Sequence, residues 1–356
     1  MFDNETELDD ALSQPTDQVV DAVARTDGDV VVLGAGGKMG YSLTRMIKRA
    51  SDAAGTNRRI VAVSRFRRFG QQKDFHRNGI MTLAGDLLDP KFLTSLPEAQ
   101  NVLFMTGVKF GTGNDTSRTW AMNVMLPAEI CKHYRKSRIM AFSTGNVYQF
   151  VPVTGRGSVE TDPPAPVGEY AMTALGRERM FEYFSLTDNL PVSIVRLNYA
   201  VEMRYGVLVD LAMKVAREET VDLAMGHVNV IWQGDANAWA LCALADVASP
   251  PYIINVAGPK ILKIRTVCET FATLFGKPAR FAGNEQENAL LNNGQQAQQR
   301  YGPLRITAEQ LIQAIASWIL RGQKTWDLPT HFQTRNGQFG ATRYPTGLTF
   351  LSQLPA

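Results

Sequence analysis

Seven residues, Gly34-Ala-Gly-Gly-Lys-Met-Gly40, follow the apolar run Val30 to Leu33 and lead into a stretch with helical spacing from Tyr41 to Ala50. A strand, a glycine turn and a helix in that order let main-chain amides and a helix N-terminus face a pyrophosphate with no side chain in the way. The G-x-G-x-x-G spacing fails, because Gly34 and Gly36 would need a third glycine where Met39 stands. The longer G-x-x-G-x-x-G form, made by Gly34, Gly37 and Gly40, fits. A glycine turn that merely joins two elements is the competing reading. The ribose of a dinucleotide is read at the end of the second strand, where a carboxylate takes the 2'-hydroxyl of NAD and an arginine accommodates the 2'-phosphate of NADP. Here the strand Ile60 to Val63 runs into Ser64-Arg65-Phe-Arg-Arg, with no carboxylate at that point and a further cation, Lys38, inside the glycine loop. The pattern favours NADP over NAD, against the alternative of a solvated basic loop.

The elements that must position this loop are legible. Apolar strand-like runs recur at Ile80 to Leu83, Asn101 to Met105, Ser137 to Phe142, Val192 to Leu197 and Tyr252 to Val256. Between them lie helical periodicities at Trp120 to Tyr134, Glu169 to Phe184, Val207 to Arg217, Ala236 to Asp246 and Ile264 to Leu274, with a late one at Ala308 to Leu320. This alternation specifies an α/β fold, a doubly wound parallel sheet of Rossmann type, with a smaller C-terminal substrate subdomain. The expected division is an acidic extension over 1–28, a dinucleotide-binding domain over 29–200 to which 228–260 return, and a substrate part from 201–227 and 261–356. Residues 1–16 read as a mobile acidic tail, and 17–25 as a short helix. Residues 282–303 and the tail after Thr325 read as loops. Trp232 reads as a core aromatic, and Asp235 as the cap of the helix that follows it.

Taken together the motifs resemble the extended short-chain dehydrogenase/reductases, in particular the NAD-dependent epimerase/dehydratase family. The resemblance covers residues 29 to about 280. It rests on the glycine loop, Asp86 in G-D-L-L-D, Asn123 in the helix after the fourth strand, F-S-T-G-N-V-Y closing the fifth, Tyr170, V-R-L-N-Y-A after the sixth, and Y-I-I-N-V-A-G-P before an amphipathic helix. The resemblance implies hydride transfer between a sugar carbinol carbon and a nicotinamide, with Tyr170 as acid/base and Ser143 or Thr144 bonding the reacting oxygen. It also implies cofactor contacts from Gly34, Gly36, Gly37, Lys38, Met39, Gly40, Ser64, Arg65, Thr106, Gly107 and Asn123, with Asp86 and Leu87 at the adenine. Substrate contacts fall to Asn146, Asn198, Tyr199 and Arg204, and a homodimer through the helices at 120–134 and 169–184 is the family's default.

One position departs from the pattern. Family members carry a lysine one helical turn after the tyrosine, lowering the phenol pKa and bonding the nicotinamide ribose; this chain has Ala174. An unperturbed phenol near 10 is phenolate in about one molecule per thousand at pH 7, equivalent to roughly 4 kcal/mol. Lys109, in T-G-V-K-F after the fourth strand, is the first candidate for a replacement cation. Arg177 shares the helix face of Tyr170 but lies seven residues on, about 10 Å along the axis, and reads as too distant.

Composition narrows the remaining classes. Net charge is +3 from 37 basic and 34 acidic residues, with no Lys/Arg block of the kind that binds nucleic acid or lipid. No run of about 18 apolar residues is present, so no membrane span is expected. Cys131, Cys242 and Cys268 are widely separated in apolar surroundings and read as buried free thiols in a reducing cytoplasm. The four histidines form no metal-binding pair, so no metal is expected. The leading function is an NADP(H)- or NAD(H)-using epimerase, dehydratase or reductase on a sugar or sugar nucleotide. The alternative, raised by Ala174, is a non-catalytic NADP(H)-binding or redox-sensing protein on the same fold.

Overall fold

The computed structural model describes residues 1–110 and 115–340. Seven parallel strands make the main sheet: β1 (Val30–Leu33), β2 (Ile60–Ser64), β3 (Met81–Ala84), β4 (Asn101–Phe104), β5 (Arg138–Thr144), β6 (Val192–Leu197) and β7 (Tyr252–Val256). Their order across the sheet is β7-β6-β5-β4-β1-β2-β3. The chain therefore runs outward through β2 and β3, returns to the far side of β1 as β4, and continues outward the other way. The reversal between β1 and β4, in register from Val30 opposite Asn101 to Leu33 opposite Phe104, is the switch point at which such sheets bind ligands.

Both faces of the sheet are covered, which is why β1 is apolar at every position. Alternate residues sort to opposite faces: Val30 and Val32 join Leu43, Ile47 and Trp239, while Val31 and Leu33 join Phe104, Leu126 and Phe181. The helices α1 (Glu5–Leu12), α2 (Asp17–Arg25), α3 (Gly40–Ala53), α4 (Leu126–His133), α5 (Gly168–Asp188), α6 (Val207–Ala216), α7 (Gln233–Leu244), α8 (Ile264–Phe275), α9 (Gln295–Tyr301) and α10 (Ala308–Leu320) complete the frame. A second core gathers α6, α8 and α10 around Trp232, Phe271 and Trp318. All three cysteines are buried and free.

Three local expectations are corrected. Residues 5–12 are a helix, where a mobile tail was expected: Asn4 caps it by accepting the Glu7 amide, and Leu8 and Leu12 are fully buried. Its acidic face, which in isolation looks solvated, meets Arg45 at Asp10 and Arg204 at Asp9, partners far away in sequence. Phe2 stacks on Trp232 at 5.5 Å. Within 282–303, read as loop, Asn288–Ala289 pairs antiparallel with Val151–Pro152, and α9 buries Ala297 and Tyr301. The Arg300 side chain and the Tyr301 hydroxyl converge on Asp246, another distant partner. Trp232 is a core residue, 1% exposed, but Asp235 does not cap α7; its carboxylate takes the amides of Arg305 and Ile306. The expectation of loop after Thr325 agrees with the structure as far as residue 340, and the remainder lies outside the described residues.

Candidate functional site

The glycine loop has no room to spare. Gly34 ends β1 at φ +88, and a Cβ there would lie 2.9 Å from both the amide nitrogen and Oγ1 of Thr106. At Gly36 a Cβ would lie 2.5 Å from Ser64 Oγ, and at Gly40 2.1 Å from the Ala35 carbonyl. Gly37 differs: it is exposed, and its nearest obstruction would be the Gly34 carbonyl at 3.4 Å. The first three glycines therefore shape the turn, and the fourth leaves open the space into which a ligand backbone fits. Thr106 Oγ1 is buried beside this cradle with no hydrogen-bond partner. A closed glycine turn, an open cradle at a helix start and an orphaned hydroxyl at the adjoining strand end fit a dinucleotide. Met39 and Leu87 point into the core, so only their main chain is available to one.

At the ribose end Arg65 lies 3.7 Å and Arg118 3.5 Å from Asp86, in a mixed cluster at the ends of β2 and β3. Lys38 is not part of it. Its Nζ donates to the Ala200 carbonyl at 2.6 Å and lies 4.7 Å from the Tyr205 ring. Burial lowers its pKa to about 8, against the carboxylate of Glu202, with Lys109 and Arg204 pressing the same way as burial. The sequence-based placement of Lys38 beside a 2'-phosphate is therefore corrected: its long side chain crosses to the segment after β6.

Tyr170, in the first turn of α5, is half-buried; burial raises its pKa, against the opposing pull of Arg177 and of the Thr144 hydroxyl at the end of β5. Lys109 Nζ lies 5.7 Å from the Tyr170 ring, 4.7 Å from Phe339 and 5.5 Å from Phe110. No ion pair holds it among the described residues, and burial lowers its pKa to about 8. Tyr199, held at φ +43 after β6, is close enough for Tyr170 to raise its pKa, though burial raises it more. Phe339 meets Tyr170 edge to face at 5.5 Å, and a Cβ at Gly168 would come within 2.7 Å of Gly337, so the segment around 337–339 lies directly against the start of α5.

The two strand-end hydroxyls have separate partners. Ser143 donates to Glu178 Oε1 at 2.5 Å, inside a buried set in which Arg196 pairs with Glu178 at 2.8 Å and donates to the Tyr148 hydroxyl at 2.7 Å. Thr144 alone faces Tyr170. Asn123, expected at the cofactor, is instead a brace with its amide fully used. It accepts from the Val108 amide at 2.9 Å and from Arg177 at 3.0 Å, and donates to the Val108 carbonyl and to Thr173. It sits in a π-helical turn, Ala121–Met125, a geometry common at functional sites.

Two expected substrate contacts are likewise occupied. Asn198 donates to Asn229 at 3.0 Å in a buried amide network that continues to Asn292. Arg204 binds Glu202 and Asp9, so its guanidinium anchors α1. Asn146 stays beside Thr144, whose hydroxyl donates to its Oδ1 at 3.1 Å. A cavity of about 320 Å³ next to α6, lined by Arg204, Tyr205, Lys214 and Asp327, excludes Tyr170, Thr144 and Lys109 and is not the reacting centre. Sequence reading missed Glu178, Arg196 and Glu202. Their only signal was that charged residues stood inside otherwise apolar helix and strand patterns.

A doubly wound parallel sheet with a glycine cradle at its switch point, and a strand-end hydroxyl facing a helix tyrosine, defines a protein of short-chain dehydrogenase/reductase architecture. More particularly, residues 30–204 match the model of the NAD dependent epimerase/dehydratase family. No curated protein matches the chain in sequence. Among solved structures it is similar to a UDP-glucuronic acid 4-epimerase from Bacillus cereus in complex with UDP-glucuronic acid and NAD, at 17% identity and TM-score 0.66, over 82% of this chain and 99% of that one. A UDP-glucose 4-epimerase from Thermotoga maritima with UDP-glucose gives 14% identity and TM-score 0.68, over 83% and 99%. A dTDP-glucose 4,6-dehydratase from Bacillus anthracis in complex with NAD gives 17% and 0.67, over 82% and 96%. No helix among the described residues is long and apolar enough to cross a membrane.

Proposed function

We propose that the protein is an NAD(P)-dependent epimerase, dehydratase or reductase acting on a sugar or sugar nucleotide by hydride transfer. The observation that carries this reading is the meeting of Tyr170 with Lys109, 5.7 Å from its ring, and with the Thr144 hydroxyl, at the carboxyl end of a sheet whose switch point holds the glycine cradle. Bound NAD(P) supplies the hydride acceptor or donor. The loop amides and the α3 N-terminus, with Gly37 open before them, hold its pyrophosphate. Ser64 and Arg65 favour a 2'-phosphate and hence NADP, since β2 ends without a carboxylate; Asp86 stands nearby for the adenine. Thr144 orients the reacting oxygen, and Tyr170 Oη gives or takes its proton. Lys109 places a desolvated ammonium over the tyrosine ring, which favours the phenolate. Asn146 and Tyr199 face the substrate.

Homologues of this kind motivate a homodimer through the helix before α4 and α5. Trp120, Met125, Met172, Tyr183 and Leu186 are exposed there, an apolar set that a second copy would cover. The three buried free thiols fit a reducing compartment, for which the cytoplasm is our reading. The alternative, a dinucleotide-binding protein without turnover, is favoured by Ala174 alone. Incubation with UDP-glucose, UDP-glucuronic acid and dTDP-glucose, with NAD or NADP, followed by absorbance at 340 nm and NMR of the sugar, tests the choice. A changed sugar that disappears in Tyr170→Phe supports the enzyme. Saturable dinucleotide binding with no changed sugar supports the alternative.

A further inference from the structure

Arg177 is the buried cation that the Tyr170 site has not yet used. It lies on α5 with 6% exposure, donating to the Phe142 carbonyl at 2.9 Å and to Asn123 Oδ1 at 3.0 Å, and its Nε has no partner. No carboxylate bonds it among the described residues: the adjacent Glu178 is already held by Arg196. A guanidinium enclosed with only neutral acceptors is under-compensated, because burial removes hydration that one carbonyl and one amide replace in part. Burial lowers the Arg177 pKa and raises that of Tyr170, and in each the interaction that most opposes burial is the one with the other residue.

The seven-residue separation is bridged by direction. Side chains on a helix lean toward its N-terminus, so an arginine reaches back over the turns before it. Ala174, three residues before Arg177 on α5, is fully buried against Val147 and Tyr148. The guanidinium ends directly behind the loop after β4: a Cβ on Gly107 would lie 2.4 Å from its Nη2. The linear estimate along the helix axis, which set Arg177 aside, counts backbone rise and leaves out the length of the side chain.

We propose that Arg177 is a positioning residue that supplies, from behind the β4 loop, the permanent positive charge favouring ionised Tyr170. This rests on Tyr170 being the acid/base of the proposed reaction. The other groups facing Tyr170 are Lys109 from the β4 loop, Tyr199 after β6 and Thr144 on β5, with Lys38 and His331 facing Lys109 in turn. Among the cations, Lys38 and Lys109 titrate near 8 and lose their charge above it. A guanidinium keeps its charge throughout this range.

The test needs no substrate. Protein grown with 3-fluorotyrosine is titrated by 19F NMR, and the Tyr170 signal is assigned by its loss in Tyr170→Phe. Arg177→Gln should raise the Tyr170 midpoint by about one unit or more, a tenfold loss of phenolate at fixed pH. Arg177→Lys should hold it near the native value. Asn123→Asp, which gives the guanidinium a carboxylate of its own, should also raise it, and covers the case in which Arg177→Gln does not fold. A midpoint unmoved in Arg177→Gln, or in Asn123→Asp where the former is unfolded, overturns the proposal. A midpoint that moves only in Lys109→Gln overturns it too. Each of these outcomes leaves dinucleotide binding and turnover as separate questions.

Discussion

The β1–β3 side of the switch point and the Tyr170 side are built by different means. Around β1 the site is main chain: Gly34, Gly36 and Gly40 are fixed by contacts a Cβ could not share, and Gly37 stays open. Around Tyr170 the site is side chains gathered from the β4 loop, β5, α5, the segment after β6 and the C-terminal segment at Phe339, with Lys109 and Arg177 supplying the charge. Main-chain geometry tolerates little change of residue type, whereas one positive charge can be delivered from several directions. An alanine at position 174 is therefore compatible with a charged tyrosine site, while a bulky residue at Gly40 would not be compatible with the loop.

Several substitutions would break or sharpen this contrast. The largest effect is expected from Tyr170→Phe, which should lower turnover by about 10² to 10⁴ while dinucleotide affinity, read by NADPH fluorescence, stays within a few-fold. Equal loss of both would mean that the two sides are not separable. Leu8→Ala should cost about 2–5 kcal/mol in denaturant unfolding, because a fully buried methyl-rich side chain leaves a cavity between α1 and its neighbours. A change near zero would mean that α1 is not part of the cooperative core.

Lys109→Gln should lower turnover about tenfold below pH 8 and little above it. The sign follows from burial, which brings the Lys109 pKa down to about 8, so its charge is present below that pH and lost as pH rises through it. Lys38 titrates in the same range, so Lys109→Arg alone must move the alkaline fall upward if Lys109 is responsible. Activity that survives above pH 8 measures the share carried by Arg177. The smallest effect belongs to Arg65→Ser, which should weaken NADPH relative to NADH by about tenfold in titration calorimetry, the worth of one half-exposed charged hydrogen bond. An unchanged ratio would place cofactor choice elsewhere.

The parallel sheet, its helices and the glycine loop were legible because they follow from short-range pattern: apolar runs bounded by glycine, and helical periodicity between them. What stayed hidden depends on partners that sequence spacing does not display. The Asp9 and Asp10 side chains look like those of a solvated tail until Arg204 and Arg45 meet them. Ser143 and Thr144 are equivalent candidates on paper and diverge only because Glu178 captures one of them. Asn123 braces Val108 and Arg177, contacts that sequence spacing does not display, since a buried amide of this kind is indistinguishable in sequence from one that touches a ligand.

The central claim is that the open position at Gly37 is where a nicotinamide dinucleotide enters. The most direct measurement is NADPH and NADH affinity, by fluorescence titration, for the native protein and for Gly37→Val. The native protein should bind at least one of them at micromolar concentration or better; the variant should keep its unfolding temperature, since little obstructs a side chain there, and lose binding by about 100-fold or more, with a side chain in the space of the pyrophosphate. Binding unchanged in a folded Gly37→Val, or no binding by the native protein, would contradict the account.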